Sequence, residues 1–217
     1  MNIYCIPGLG TDERLFIKLK LENADIKFIN WVKPNTKDSI SSYADRLIIQ
    51  IDQSKPFSLL GVSLGGVIAV ELSSKINPVK VFVISSVKSS KEFPFYITIL
   101  KWLKVKYIIS SKLLKSGKPL IEFFFGKMNP SDKHLINKMI DDADEVFTPW
   151  AAKALIDWQS KDEQIPFKNI VHIIGDKDLI FRHSKIKNCH VIKGGSHLLI
   201  LNQSQSVNAI LNQYLNV

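Results

Sequence analysis

The sequence predicts an α/β domain, a mostly parallel sheet of about six strands flanked by helices and carrying a helical insertion. Three observations lead there. Short apolar runs alternate with helical periodicities from the N-terminus onward, the pattern of strands joined by crossover helices. One of those runs, residues 79–84, is apolar on nearly every residue, as a strand is when both faces of a parallel sheet are covered. A stretch of about 80 residues beyond it has helical periods without a convincing strand.

Residues 3–6 read as a buried strand that stops at Pro7-Gly8-Leu9-Gly10, and residues 12–19 as a short helix. A second strand over 26–29 is closed by Pro34. Between 39 and 51, Ile40, Tyr43, Ala44, Leu47, Ile48 and Ile51 recur at the spacing of one helix face, with Asp38 or Ser39 as N-cap. Residues 57–60 form a third strand, 67–76 a third helix ending before Pro78, and 79–84 a fourth strand. From about 86 to 164 only helical periods follow, at 95–114, 119–125, 131–140 and 148–158. A crossover needs about a dozen residues, so the excess is expected as a helical cap over the strand ends. Strands at 170–174 and 190–192 and a helix over 199–215 complete a single domain spanning 1–217. There is no internal repeat and no low-complexity segment.

A chain of 217 residues buries a full core without disulfides or metals. Its 46% apolar and 23% charged residues exclude disorder, collagen and coiled coil. The net charge is +9 and the pI about 9.4. The basic residues are mostly lysines scattered among Ile and Asn, a composition bias rather than a nucleic-acid patch, so no nucleic-acid partner is expected. Cys5 and Cys189 sit beside apolar residues and read as small buried side chains; no His/Cys pair has zinc spacing, and no metal is expected. Residues 1–6 lack a basic leader, and Pro7-Gly8 breaks their apolar run, unlike a signal peptide. The longest apolar stretches, such as 93–100, fall short of the ~18 residues of a membrane span. The expected address is the cytoplasm.

The strongest local signal is Gly61-Val62-Ser63-Leu64-Gly65, placed between an apolar strand and a helix. That is the context of a nucleophile elbow, a turn so tight that side chains at Gly61 and Gly65 would clash with the neighbouring strand and helix. It lifts the Ser63 hydroxyl above the sheet and leaves the Leu64 amide at a helix N-terminus, where it stabilises an oxyanion. A serine needs a base. Among five histidines, His134 and His183 lie in polar segments and His172 and His190 inside strands, whereas His197 follows Gly194-Gly195-Ser196 directly after the last strand. That small-residue loop lets its imidazole reach across the strand ends. The strand before it ends in Gly175-Asp176-Lys177-Asp178. Asp178, beyond the turn, is the choice to orient His197, with Asp176 holding the loop.

The order Ser63, Asp178, His197, with Pro7-Gly8-Leu9-Gly10 after the first strand, resembles the α/β-hydrolase superfamily, especially its small bacterial members. The likeness runs over nearly the whole chain. It implies a second oxyanion donor at the Leu9 amide. Many relatives carry His-Gly where this chain has Pro7-Gly8, a change of side chain that leaves the backbone donor in place. The fold commonly opens with an antiparallel pair of strands, and the sequence here starts directly at the strand before the Pro7-Gly8-Leu9-Gly10 loop, so a trimmed sheet of about six strands is expected.

The resemblance implies a cofactor-free serine hydrolase acting on a small-molecule ester or thioester. The superfamily also includes carbon–carbon lyases with similar residues, and a ligand-binding protein on the same fold is the non-enzymatic alternative. Aromatic residues crowd the insertion. Phe95, Trp102, Phe124 and Trp150 are expected to line an apolar substrate pocket, while most of the others pack the insertion against the core. Lys101, Lys104, Lys106, Lys112, Lys115 and Lys118 form a basic stripe, read first as a solvated face and second as a contact for an anionic membrane or a phosphate-bearing carrier.

Overall fold

The structure, a computed structural model, describes residues 1–160 and 169–215. The end of the predicted insertion, 161–164, lies outside the described residues. Six strands form one sheet: β1 (Asn2–Ile6), β2 (Asp25–Phe28), β3 (Phe57–Val62), β4 (Val81–Ile84), β5 (Ile170–Gly175) and β6 (His190–Ile192). Their order is β2-β1-β3-β4-β5-β6 and every pairing is parallel. The chain leaves β1 toward β2 on one side and leaves β3 toward β4 on the other. The order therefore reverses between β1 and β3, and a crevice opens at their carboxyl ends, where ligands bind in such sheets.

Strand alternation divides the core between two faces. Tyr4, Ile6, Leu59, Val81 and Val83 pack on one side, under α1 (Ile40–Leu47) and α2 (Leu64–Ser73). Ile3, Cys5, Leu60, Val62, Phe82 and Ile84 pack on the other, which the C-terminal helices cover. Both faces are buried, which is why β3 and β4 read as unbroken apolar runs. The two edge strands are short, at four and three residues, and β2 is largely exposed.

Ser39 rather than Asp38 caps α1: its hydroxyl accepts from the Ser42 amide and Ser42 returns the bond. Asp38 instead pairs with Arg46 and accepts from the Asn35 amide. The predicted helix at 12–19 is a single 3-10 turn, Glu13–Phe16. The period at 95–114 is not one helix. It divides into α3 (Phe95–Trp102), a 3-10 turn and α4 (Ser111–Ser116), because Lys104 adopts a left-handed conformation (φ +55°) that ends α3. Then follow α5 (Ile121–Phe125), α6 (Pro130–Asp142) and α7 (Phe147–Asp157). The C-terminal helix also divides, into α8 (Leu199–Asn202) and α9 (Ser204–Leu215).

Among the bonds that tie the run between β4 and β5 to the rest of the domain, three come from aromatic side chains. Trp158 donates from its indole to the buried Glu71 of α2 at 2.7 Å, Trp150 donates to the Asp38 carbonyl, and Tyr96 donates to the Ile180 carbonyl.

Candidate active site

β3 ends at Val62, and α2 starts two residues later at Leu64. Ser63 makes the whole turn, with φ +53° and ψ −118°, a strained conformation for a residue with a side chain. The glycines around it are required by contact. A Cβ on Gly61 would lie under 3.0 Å from the Gly65 and Gly66 backbone, and one on Gly65 under 3.0 Å from the Ile6 and Pro7 carbonyls. Gly66 likewise packs on Ser86, whose hydroxyl donates to the Ser63 carbonyl at 2.6 Å. Ser86, at the carboxyl end of β4, is a support that sequence reasoning missed.

Ser63, Asp178 and His197 come together although they lie far apart in the chain. Ser63 Oγ is 3.0 Å from His197 Nε2, and His197 Nδ1 is 2.9 Å from Asp178 Oδ2. A carboxylate only accepts, so Nδ1 carries the imidazole proton and Nε2 faces the serine bare. The other Asp178 oxygen accepts from the Ile180 and Phe181 amides, which fixes the carboxylate. Asp178 and His197 are buried, with the rings of Phe125 and Phe181 beside the imidazole, and Ser63 is partly exposed. Asp176 accepts from the Gly194 amide at 2.7 Å and holds the loop that leads to His197.

That loop is fastened from a second direction. Ser196 donates to the Phe125 carbonyl at the end of α5, and the Asn202 side chain donates from Nδ2 to Ser196 Oγ at 2.7 Å. Gly126, at φ +88°, makes room, since a Cβ there would meet Ser196. Residues 125 and 196 carry no sequence signature for this contact.

The remaining histidines sit elsewhere. His134 is exposed on α6, His183 lies in a 3-10 turn, and His190 bonds Tyr214. His172 is buried in β5, with Nε2 2.9 Å from the Ser86 carbonyl and Nδ1 3.4 Å from the Lys88 ammonium. Burial, reinforced by that ammonium, depresses its pKa from 6.5 to about 3. The unfolded chain binds a proton there below about pH 6.5 and the folded chain does not. Stability should therefore fall as pH drops from 6.5 toward 3. Urea unfolding of the wild type and His172→Gln across that window checks it: the variant is expected to be less stable at neutral pH but to lose less on acidification.

Leu64 is the first residue of α2, so its amide has no carbonyl partner within the helix. Leu9 follows Gly8, where an added Cβ would touch Ser63. Among the described residues, neither amide has a protein acceptor. Leu9 and Gly10 also form one wall of a cavity of about 240 Å³, and Leu114, Leu120, Ile121 and Phe124 form another. Phe125 lines it as well and touches His197. Of the four aromatic residues expected at a substrate pocket, Phe124 lines this cavity. Trp150 instead packs on Tyr43 and Phe147, and Phe95 and Trp102 stand exposed on α3. Among the described residues no cluster of His, Cys, Asp and Glu could hold a metal.

The fold is similar to that of solved hydrolases. A hydrolase from Oleispira antarctica matches at a TM-score of 0.73 and 14% identity, covering 100% of this chain and 91% of that one. An esterase from Thermogutta terrifontis matches at 0.70 and 14%, covering 100% and 89%. The chain has the α/β-hydrolase fold. A lipase-esterase related protein from Clostridium acetobutylicum is similar in the same way, at 0.68 and 18%, covering 98% and 93%. No protein-family model and no curated protein matches by sequence, so the likeness is one of α/β-hydrolase architecture. Within that fold Ser63 follows β3, Asp178 follows β5 and His197 follows β6, so all three lie beyond the carboxyl ends of parallel strands.

Proposed function

We propose that this chain is a serine hydrolase of carboxylic esters or thioesters. One observation carries the reading: an unbroken hydrogen-bonded line from Ser63 Oγ through His197 to Asp178, beginning at a strained strand-to-helix turn. In this reading Ser63 attacks the substrate carbonyl while His197 Nε2 takes its proton, and Asp178 holds the tautomer and stabilises the imidazolium. The Leu9 and Leu64 amides receive the negative charge that develops on the carbonyl oxygen. His197 then protonates the departing alcohol or thiol, leaving an acyl group on Ser63. A water, deprotonated by the same nitrogen, attacks that ester, and as the serine–acyl bond breaks His197 returns the proton to Ser63 Oγ, freeing the acid and the serine. The apolar cavity beside Leu9 suits the acyl group, with Phe124 on its wall.

Intact-mass analysis after treatment with a fluorophosphonate tests the reading. One adduct is expected on the wild type and none on Ser63→Ala or His197→Ala. A well-folded wild type that takes no adduct would count against the acyl-enzyme and in favour of a lyase or a ligand-binding protein.

A further inference from the structure

Residues 95–124 are one seventh of the chain, yet they hold ten of its eighteen exposed large hydrophobic side chains among the described residues. The concentration has a helical basis. On α3, Tyr96 turns inward to the Ile180 carbonyl, and Phe95, Ile99 and Trp102, spaced i, i+4 and i+7, share one exposed face. Phe95 is 70% and Trp102 79% exposed, and Phe123 on α5 is 66% exposed. Ordinary soluble surfaces do not gather such residues without a use.

The charge on this segment is one-sided. It contains six lysines against one glutamate, more than half of the chain's net charge of +9. Lys115 and Lys118 are paired with Glu145 and Asp141. Lys101, Lys104 and Lys112 are exposed and have no ion-pair partner among the described residues. Exposed aromatic side chains interspersed along the sequence with unpaired lysines match the boundary of an anionic bilayer, where rings enter the headgroup layer and ammonium groups meet lipid phosphates.

We propose that this face docks on an anionic lipid surface. A second copy of the chain is a poor occupant, because a two-fold interface would set the same lysines against one another. The proposed contact is a peripheral one, made by side chains of short helices; among the described residues no helix is long and apolar enough to cross a membrane. Docking rests on the exposed face alone. Its use, the delivery of an apolar ester, rests on the hydrolase reading: Leu114, Leu120 and Phe124 from this same segment wall the cavity that reaches Leu9.

Co-sedimentation with phosphatidylcholine vesicles, with and without phosphatidylglycerol, tests it. The wild type is expected to sediment with the anionic vesicles at low salt, and less so as salt rises. Each lysine beside an anionic leaflet multiplies partitioning about fivefold, so Lys101→Gln, Lys104→Gln and Lys112→Gln together should weaken it roughly 100-fold. Ile99→Glu with Leu103→Glu should also release the protein while leaving hydrolysis of a water-soluble short-chain ester unchanged. Ser63→Ala should bind as the wild type does and hydrolyse nothing, which separates failure of docking from failure of the hydrolase reading. Three results would overturn the proposal. One is no sedimentation with anionic vesicles at low salt. The second is binding that survives Ile99→Glu with Leu103→Glu. The third is a wild-type dimer that those substitutions dissolve.

Discussion

Ser63→Ala and His197→Ala are each expected to lower kcat for a short-chain ester by about 10⁴–10⁶-fold, and the double variant to be no worse than either. The reason is that one proton path is shared. Without Ser63 there is no nucleophile at the elbow, and without His197 the hydroxyl keeps its proton, so the second substitution removes nothing that still works. Asp178→Asn should cost about 10⁴-fold by a different route. Its Oδ1 would still accept from the Ile180 and Phe181 amides, but an Nδ2 donor would face His197 Nδ1 and drive the proton to Nε2, the nitrogen that must be bare. Steady-state hydrolysis by the four variants and the wild type checks this. Losses that multiply in the double variant would contradict a single relay.

Gly65→Ala is expected to be among the most damaging one-carbon changes in the chain, with Gly61→Ala and Gly175→Ala, which also drive a methyl into backbone. At Gly65 the new methyl would be placed under 3.0 Å from the Ile6 and Pro7 carbonyls, and both obstacles are backbone with no rotamer to yield. Relief requires β1 and the start of α2 to part, at a cost of about 3–5 kcal/mol. The loop after Ile6 carries Leu9, so activity should fall even in the molecules that fold. Gly194→Ala is the matched control. Gly194 also sits at positive φ, +72°, but nothing lies within 4 Å of its added Cβ, so only the backbone penalty of about 1 kcal/mol applies. Denaturant unfolding distinguishes them; similar losses in the two variants would remove packing as the explanation.

What could be read from the sequence is what is encoded within a few residues. The elbow is local: Gly61, Ser63 and Gly65 carry their own spacing, and an apolar strand and a helix flank them. Asp178 and His197 each follow a strand and a small-residue turn, and that position in the chain is enough to put them at the sheet's carboxyl edge. Partners that meet through a main-chain atom were not legible. Ser196 and Phe125 are 71 positions apart, and their bond runs through a main-chain carbonyl that no residue type announces. The faces of the aromatic helices were not legible either. Periodicity shows that Phe95 and Trp102 share a side of α3, but not that the side faces outward. Nor does it tell that Trp150 fills the space over Tyr43 rather than the cavity. The break after α3 was hidden for a related reason, because a lysine at Lys104 takes a conformation more usual for glycine.

The Ser196–Phe125 bond bears on any attempt to re-engineer this enzyme candidate by grafting. Helical insertions between β4 and β5 invite exchange as modules, since each end of the segment joins the same sheet. Here the module is not free. Phe125 supplies the carbonyl that anchors the loop of His197, and Gly126 supplies the gap into which Ser196 fits. A transplanted segment lacking that carbonyl, or bearing any side chain at position 126, would reset the imidazole as well as the acyl cavity. The boundary for a swap therefore belongs before α5, so that residues 121–126 stay with the recipient.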